Sequence, residues 1–462
     1  MWFSYFASYY LLGIFITSFL GVEMSFFQVF SELYSNSTIV TSTLKGNINA
    51  NLLSNSLIIV LSLFHILPIL FLFLVSYLPV KFFKYVRKDI SPETIEYVNL
   101  IPYINEKDKL NFLETYFSDN KRDFLNQFIA INRDISIIQD FTAGSNATTM
   151  LCMDEKDIFY RKYSFGKESA KLFEQIKWIN EFKNKIPLSE ILRIHSEDVF
   201  CLYDMKYRNS AVGMFNFIHS TPINKSWGVL LQMIEDLNLS LYVDEISSDP
   251  ETIINYIDNK VITNLNKIKE GKDISALLDY DILIINGRSY KNIRILEKFF
   301  KKELFIEVFS KDLITNVHGD LTIENIICET DPISSKDYYI IDPNVGNILN
   351  SRYLDYAKIF QSLHGGYEFL ANTHYYNILG NKIDFVDSKS LVYNELYVNF
   401  VKYLENNFGR DGLKSVYFHE IVHWLRLMPY KLEQLNKNAI IFYSGLIIVM
   451  NDVMNLCESK QL

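Results

Sequence analysis

The sequence predicts an α+β protein in which two transmembrane helices precede a small antiparallel β lobe and a larger helical lobe. Three patterns carry this. Residues 1–22 and 57–80 contain no Asp, Glu, Lys or Arg, and each run is as long as the ~20 residues a helix needs to cross a bilayer. Between residues 136 and 163 apolar side chains come in short runs separated by turn residues, a strand signature. From residue 222 onward, several stretches repeat apolar residues at i, i+3 and i+4, the period of a helix with one buried face.

At 462 residues the chain is long enough for about three units of 150 residues. The division expected is a membrane hairpin over 1–88, a helical linker over 89–134, a β lobe over 135–208 and a helical lobe over 209–462. A net charge of −9 argues against nucleic acid as a partner. Cys152, Cys201, Cys328 and Cys457 are widely spaced among apolar neighbours, with no Cys-x-x-Cys. Free buried thiols in a reducing compartment are therefore expected. Aromatic residues make up 15% of the chain and hydrophobic residues 49%, enough to call for a large core or a membrane.

The N-terminus favours the membrane. No basic residue precedes the first run, so a cleaved signal peptide fits poorly. Pro68 in the second run is tolerable in a membrane helix. Lys81, Lys84, Arg87 and Lys88 follow that run directly, whereas residues 32–55 hold one Lys and one Glu. Basic residues stay on the cytoplasmic side. The hairpin then has its short loop outside and everything after Lys81 in the cytoplasm. In the linker, Leu110, Leu113 and Phe117, then Phe124, Leu125 and Phe128, have helical spacing.

The β lobe opens with strands over 137–141 and 148–153, joined by the small-residue loop Thr142-Ala143-Gly144-Ser145-Asn146-Ala147. Asp154-Glu155-Lys156-Asp157 makes a turn into a third strand over 158–163. A helix over 168–182 follows, with Leu172, Ile176 and Ile179 on one face, and then a strand over 200–205. In the large lobe, helices are expected over 227–236, 250–269 and 290–309. After Leu363 the chain reads as helical throughout. His419 and His423, at i and i+4 on a helix, have the spacing of a metal pair, but no third ligand is evident and ordinary helix histidines are the better reading. Residues 438–450 are apolar but too short to span a bilayer.

One stretch carries chemistry. His318-Gly319-Asp320 is followed five positions after the Asp by Asn325, which opens a short strand, Ile326-Ile327-Cys328. A turn at 331–337 leads to a second strand over 338–341, ended by Asp342-Pro343 because Pro cannot continue a ladder. The hairpin returns Asp342 beside Asn325. One amide and one carboxylate suit Mg²⁺, which takes oxygen ligands from one or two protein groups plus substrate phosphates.

The run His-Gly-Asp-Leu-x-x-x-Asn, then Ile-Ile-Asp-Pro, then Leu-Asp-Tyr-Ala-Lys, resembles the aminoglycoside phosphotransferase and choline kinase superfamily, specifically over residues 317–363 and more loosely over 135–220. That resemblance implies a protein-kinase-like fold and transfer of a phosphoryl group from ATP. It implies Asp320 as the catalytic residue accepting the acceptor's hydroxyl proton, and Asn325 and Asp342 as Mg²⁺ ligands. Asp355 matches the Asp that ties its helix to the catalytic loop, and His318 reads as scaffold. On the same template the backbone of Gly144 and Ser145 approaches phosphates and a Lys on the third strand holds them. Arg161 and Lys162 alternate faces, so one of them faces the cleft, and Lys162 suits the template. Glu174 or Glu168 would pair with that Lys. Met205 falls at the expected hinge, where backbone groups read adenine.

The acceptor expected is a small molecule, sugar or lipid-linked glycan precursor, since a membrane anchor suits cell-surface polysaccharide synthesis better than a soluble drug. A membrane-anchored pseudokinase scaffold and an antibiotic kinase are the alternatives.

Overall fold

The computed structural model describes residues 135–141, 147–196, 200–330, 337–433 and 438–462. The expected membrane hairpin and linker lie outside these residues, as do Gly144 and Ser145.

Five strands form one antiparallel sheet: β1 (Ser136–Phe141), β2 (Thr148–Met153), β3 (Ile158–Phe165), β4 (Ile191–Ser196) and β5 (Phe200–Lys206), in the order β1-β2-β3-β5-β4. Helix α1 (Lys167–Phe182) connects β3 to β4. It packs Leu172, Ile176 and Ile179 with Cys201, Tyr203 and Met205 of β5. β4 was not expected. It is an edge strand whose residues are mostly exposed, so it shows no inside–outside alternation to read.

β3 lies between β2 and β5 and is buried along most of its length. Its two cations, Arg161 and Lys162, are 1% and 3% exposed. A buried charge needs a partner. Arg161 donates Nε to Asp204 Oδ1 at 2.7 Å and Nη2 to Oδ2 at 2.8 Å. Arg193 of β4 adds Nε to Asp204 Oδ2 at 2.8 Å. Arg161 is thereby committed to a structural ion cluster on one face of the sheet, and Lys162 is left to the other.

β5 runs one residue past its expected end. Met205 pairs with Tyr160 of β3 and Ile191 of β4, and its side chain joins the core under α1. The chain therefore leaves the sheet after Lys206, and residues 207–210 cross to β6 (Ala211–Gly213).

The second part is mostly helical. After β6 come α2 (Met214–Ser220), α3 (Ile223–Ser240) and β7 (Ile246–Ser247). Asp249 caps α4 (Pro250–Ile257) by accepting from Thr252 N, with Pro at the first helical position. A π-helical turn, Asp258–Ile262, joins α4 to α5 (Thr263–Lys269), so the helix expected over 250–269 is continuous. Residues 290–309, expected as one helix, are instead the end of a strand plus α6 (Ile293–Phe299) and α7 (Lys302–Phe309). The break falls at Phe300, whose ψ of 62° is not helical.

Two hairpins correct the helical expectation further. β8 (Ile282–Ile285) and β9 (Arg288–Lys291) are joined by Asn286-Gly287, both at positive φ, the turn that two-residue hairpins prefer. After β10 (Leu313–Ile314), β11 (Ile326–Glu329) and β12 (Tyr338–Ile340) come α8 (Arg352–Leu363) and then β13 (Tyr376–Leu379) and β14 (Lys382–Phe385). β14 pairs with β8 in parallel, Lys382 opposite Ile284, which makes one four-stranded sheet. The chain closes with α9 (Leu391–Glu433), broken at Gly409 where φ is 65°, and α10 (Ala439–Glu458). By length and composition α10 could cross a membrane, but it is 72% buried among the helices around it, which marks a core helix.

Candidate active site

β11 is the scaffold of the site. It pairs with β6 on one side and β12 on the other, Ile326 opposite Ile340. Asn325 immediately precedes it and Asp342 lies two residues beyond β12. The Ile341 amide donates to the Asn325 carbonyl at 3.0 Å, so Asn325 and Asp342 are neighbours across the ends of one hairpin, as their spacing predicts.

The loop bearing Asp320 is stitched to the same place. The His318 carbonyl accepts from Asn344 N at 2.8 Å. The His318 ring, fully buried, bonds through Nε2 to the Ile341 carbonyl at 2.9 Å. Burial pushes its pKa down to about 4, so at neutral pH the ring is uncharged and Nε2 is the donor. His318 is a strut between the two loops. Gly319 has φ 81°, and a Cβ there would sit 2.2 Å from the Asn344 carbonyl oxygen. No other residue fits that approach without moving backbone.

Asp355, on α8, holds the loop from below. Its carboxylate is 0% exposed and accepts from His318 N at 2.7 Å, Gly319 N at 2.6 Å and the Tyr242 hydroxyl at 3.0 Å. Ser351 caps α8 through Tyr353 N and so sets the helix register that aims Asp355 upward.

Asp320 is thereby fixed with its side chain 38% exposed. Its Oδ1 meets Lys358 Nζ at 3.0 Å. Its Oδ2 has Asn325 Nδ2 at 3.4 Å, while the same amide donates to the Asp320 carbonyl at 2.7 Å. Burial raises the Asp320 pKa, but the Lys358 charge and hydrogen bond outweigh it, and the carboxyl lies below its ordinary value. Asp320 is a carboxylate at neutral pH, with Oδ1 held by Lys358 and Oδ2 meeting Asn325 only at 3.4 Å.

Lys162 reaches across from β3 to Asp342, Nζ to Oδ1 at 2.8 Å. That carboxylate oxygen meets no other donor among the described residues. Asp342 has φ 59°, an unfavourable conformation for a residue with a side chain, of the kind that clusters at functional sites. Asp320 is thus joined to Asn325, Asn325 to the strand end that carries Asp342, and Asp342 to Lys162.

Other expected residues are placed elsewhere. Glu174 does not reach Lys162: it is exposed and pairs with Lys177 at 2.6 Å. The α1 residue that reaches the Asp342 turn is Gln175, which donates Nε2 to the Pro343 carbonyl and accepts from the Tyr203 hydroxyl at 3.3 Å. It shares a helix face with Leu172 and Ile179, the signal that would have found it. Met205 is tied into two ladders, so the lobe crossing lies after it. Lys358 closes the Leu-Asp-Tyr-Ala-Lys run but was given no role, because its contact with Asp320 depends on the loop folded over the helix. His419 bonds to Asp312 and Tyr256, and His423 to the Leu354 carbonyl. They do not converge, and no cluster of three His, Cys, Asp or Glu suited to a metal exists among the described residues.

The donor set does fit a hard divalent cation that keeps most of its shell from phosphates and water. Asn325 commits its amide nitrogen to Asp320 and leaves its oxygen uncommitted, and Asp342 offers a carboxylate whose side chain is 31% exposed.

No family model and no curated protein matches the chain. Among solved structures it is similar to a choline kinase from Streptococcus pneumoniae at 12% identity, over 71% of this chain and 98% of that one, with a TM-score of 0.42. It is also similar to an aminoglycoside phosphotransferase at 10% identity over 71% and 98%, with a TM-score of 0.41. Likeness at this level says nothing of chemistry, and the site stands on its own geometry.

Proposed function

We propose that this protein is an ATP-dependent phosphotransferase that moves the γ-phosphoryl group to a hydroxyl of its acceptor. One observation supports this reading above the rest: Asp320 contacts Asn325, Asn325 is hydrogen-bonded to the strand end that carries Asp342, and the buried Lys162 of β3 pairs with Asp342. Phosphoryl transfer asks a protein for positioning and charge rather than covalent chemistry. Asp320 Oδ2 accepts the acceptor's hydroxyl hydrogen and orients its oxygen. Lys162 supplies a fixed positive charge to the nucleotide phosphates. Asn325 and Asp342 would hold Mg²⁺, which when bound neutralises charge between the β- and γ-phosphates.

The acceptor is a small molecule, sugar or lipid-linked glycan precursor met at a membrane surface, as in cell-surface polysaccharide synthesis. This follows from the two uncharged runs and the basic cluster after residue 80, which put the catalytic unit in the cytoplasm beside the bilayer. The test is transfer of labelled γ-phosphate by the full chain with Mg·ATP to pooled membrane and soluble metabolites. Label must appear in an acceptor with wild type and vanish with Asp320→Asn. A chain that binds Mg·ADP yet labels nothing, water included, is a scaffold and not an enzyme.

A further inference from the structure

Lys358 is not one of the four groups used above, yet it touches the catalytic carboxylate directly. It lies on α8, one turn beyond Asp355, and its side chain is 16% exposed. Its ammonium donates to Asp320 Oδ1 at 3.0 Å and to Gln361 Oε1 at 3.1 Å. An ammonium has three donors, so one remains.

As a structural feature this ion pair is poorly motivated. The side chains of Lys358 and Asp320 are 16% and 38% exposed, so the pair is only partly buried and solvent screening limits what it adds to stability. As a catalytic feature it is well placed. A hydroxyl bound to Asp320 Oδ2 sits about 3 Å from it, and the phosphorus it attacks lies about 3 Å further. The transferred group is thus within the sweep of a Lys side chain anchored at the other carboxylate oxygen. Lys162 is held by the other carboxylate, Asp342.

We propose that Lys358 is a second catalytic cation: it holds Asp320 Oδ1 so that Oδ2 faces the acceptor, and in the transfer step its remaining donor binds an equatorial oxygen of the γ-phosphoryl group. The balance is that of simple displacement. The acceptor oxygen forms the new P–O bond, the bond to the ADP oxygen breaks, the hydroxyl proton passes toward Asp320, and Lys358 stays protonated throughout. This rests on the phosphotransferase reading above.

The test uses the full chain, with water as acceptor, so that no acceptor need be known. Lys358→Met and Lys358→Arg are compared with wild type in Mg·ATP hydrolysis and in binding of Mg·ADP with and without aluminium fluoride, which mimics the phosphoryl group in flight. Loss of one such donor lowers kcat about 100-fold or more. Expected for Lys358→Met is that loss, with Mg·ADP affinity unchanged, which also shows that the variant is folded. The tightening by aluminium fluoride seen in wild type disappears, and Lys358→Arg recovers part of both. A Lys358→Met protein that retains wild-type kcat and fluoride tightening overturns the role of Lys358 alone. A wild-type protein that binds no Mg·ADP overturns the phosphotransferase reading and this role with it.

Discussion

Asp355→Ala removes the acceptor for three buried donors at once. The carboxylate is 0% exposed and receives His318 N, Gly319 N and the Tyr242 hydroxyl at 2.6–3.0 Å. Each donor left buried without a partner costs about 1–3 kcal/mol. Three give a gross penalty of about 3–9 kcal/mol, reduced where water enters the gap and where the cost of burying the carboxylate is relieved. A net loss of about 3–5 kcal/mol is expected, a large part of the ~5–15 kcal/mol that holds a typical domain folded. Urea denaturation followed by far-UV circular dichroism measures it. Transfer activity, measured below the new midpoint, falls further than the folded fraction does, because the freed loop no longer aims Asp320. The pH dependence adds a sign. Burial holds the Asp355 carboxyl up at about 7 against the pull of its three donors. The folded value exceeds the ordinary 3.8, so the stability this group contributes is fully present below about pH 4 and is lost as pH rises through about 7. Asp355→Asn cannot titrate, so wild-type stability falls relative to that variant across the same window. An Asp355→Ala protein with the wild-type urea midpoint and wild-type turnover refutes the reasoning.

Three further outcomes follow from the same geometry. Asp320→Asn keeps the shape of the side chain but not the base, and lowers transfer by about 10²–10⁴-fold with no fall in the melting temperature; a variant with normal turnover rules Asp320 out. Gly319→Ala places a Cβ 2.2 Å from the Asn344 carbonyl oxygen at a φ of 81°, so both unfolding midpoint and activity drop, and the sign of each is read in the same urea series. Asp204→Ala strips the bidentate acceptor from Arg161 in the sheet interior and costs about 3–5 kcal/mol, while turnover per folded molecule stays at the wild-type value.

The placement of the strip from His318 to Asp342 was the most legible part of the chain because its information is local. The β11–β12 register brings Asn325 and Asp342 together, and Asp320 lies one short turn before Asn325, to which it is hydrogen-bonded. The first three strands and α1 were legible for a similar reason, each being a short run bounded by turn residues. What failed depends on distant partners. β8 and β14 each form a local hairpin, with β9 and β13, and these two hairpins, far apart in the chain, are joined into one sheet by the parallel β8–β14 pairing. β4 has no buried face and so no pattern. Glu174 and Glu168 were considered for their charge, whereas the helix face set by Leu172 and Ile179 carries the neutral Gln175, which reaches the Pro343 carbonyl. Lys358 is defined only by the loop above it. Arg161 and Lys162 show the limit most clearly: alternation separates them, but only Asp204 on one side and Asp342 on the other assign their roles.

Equilibrium binding of ADP to the full chain, with and without Mg²⁺, tests most directly whether these side chains converge on a metal–nucleotide. Wild type binds ADP tightly only when Mg²⁺ is present, Asp342→Ala loses that Mg²⁺-dependent increment by about tenfold or more, and Asp320→Asn retains it. Absence of nucleotide binding in wild type, or binding in Asp342→Ala that responds to Mg²⁺ as wild type does, contradicts the shared site.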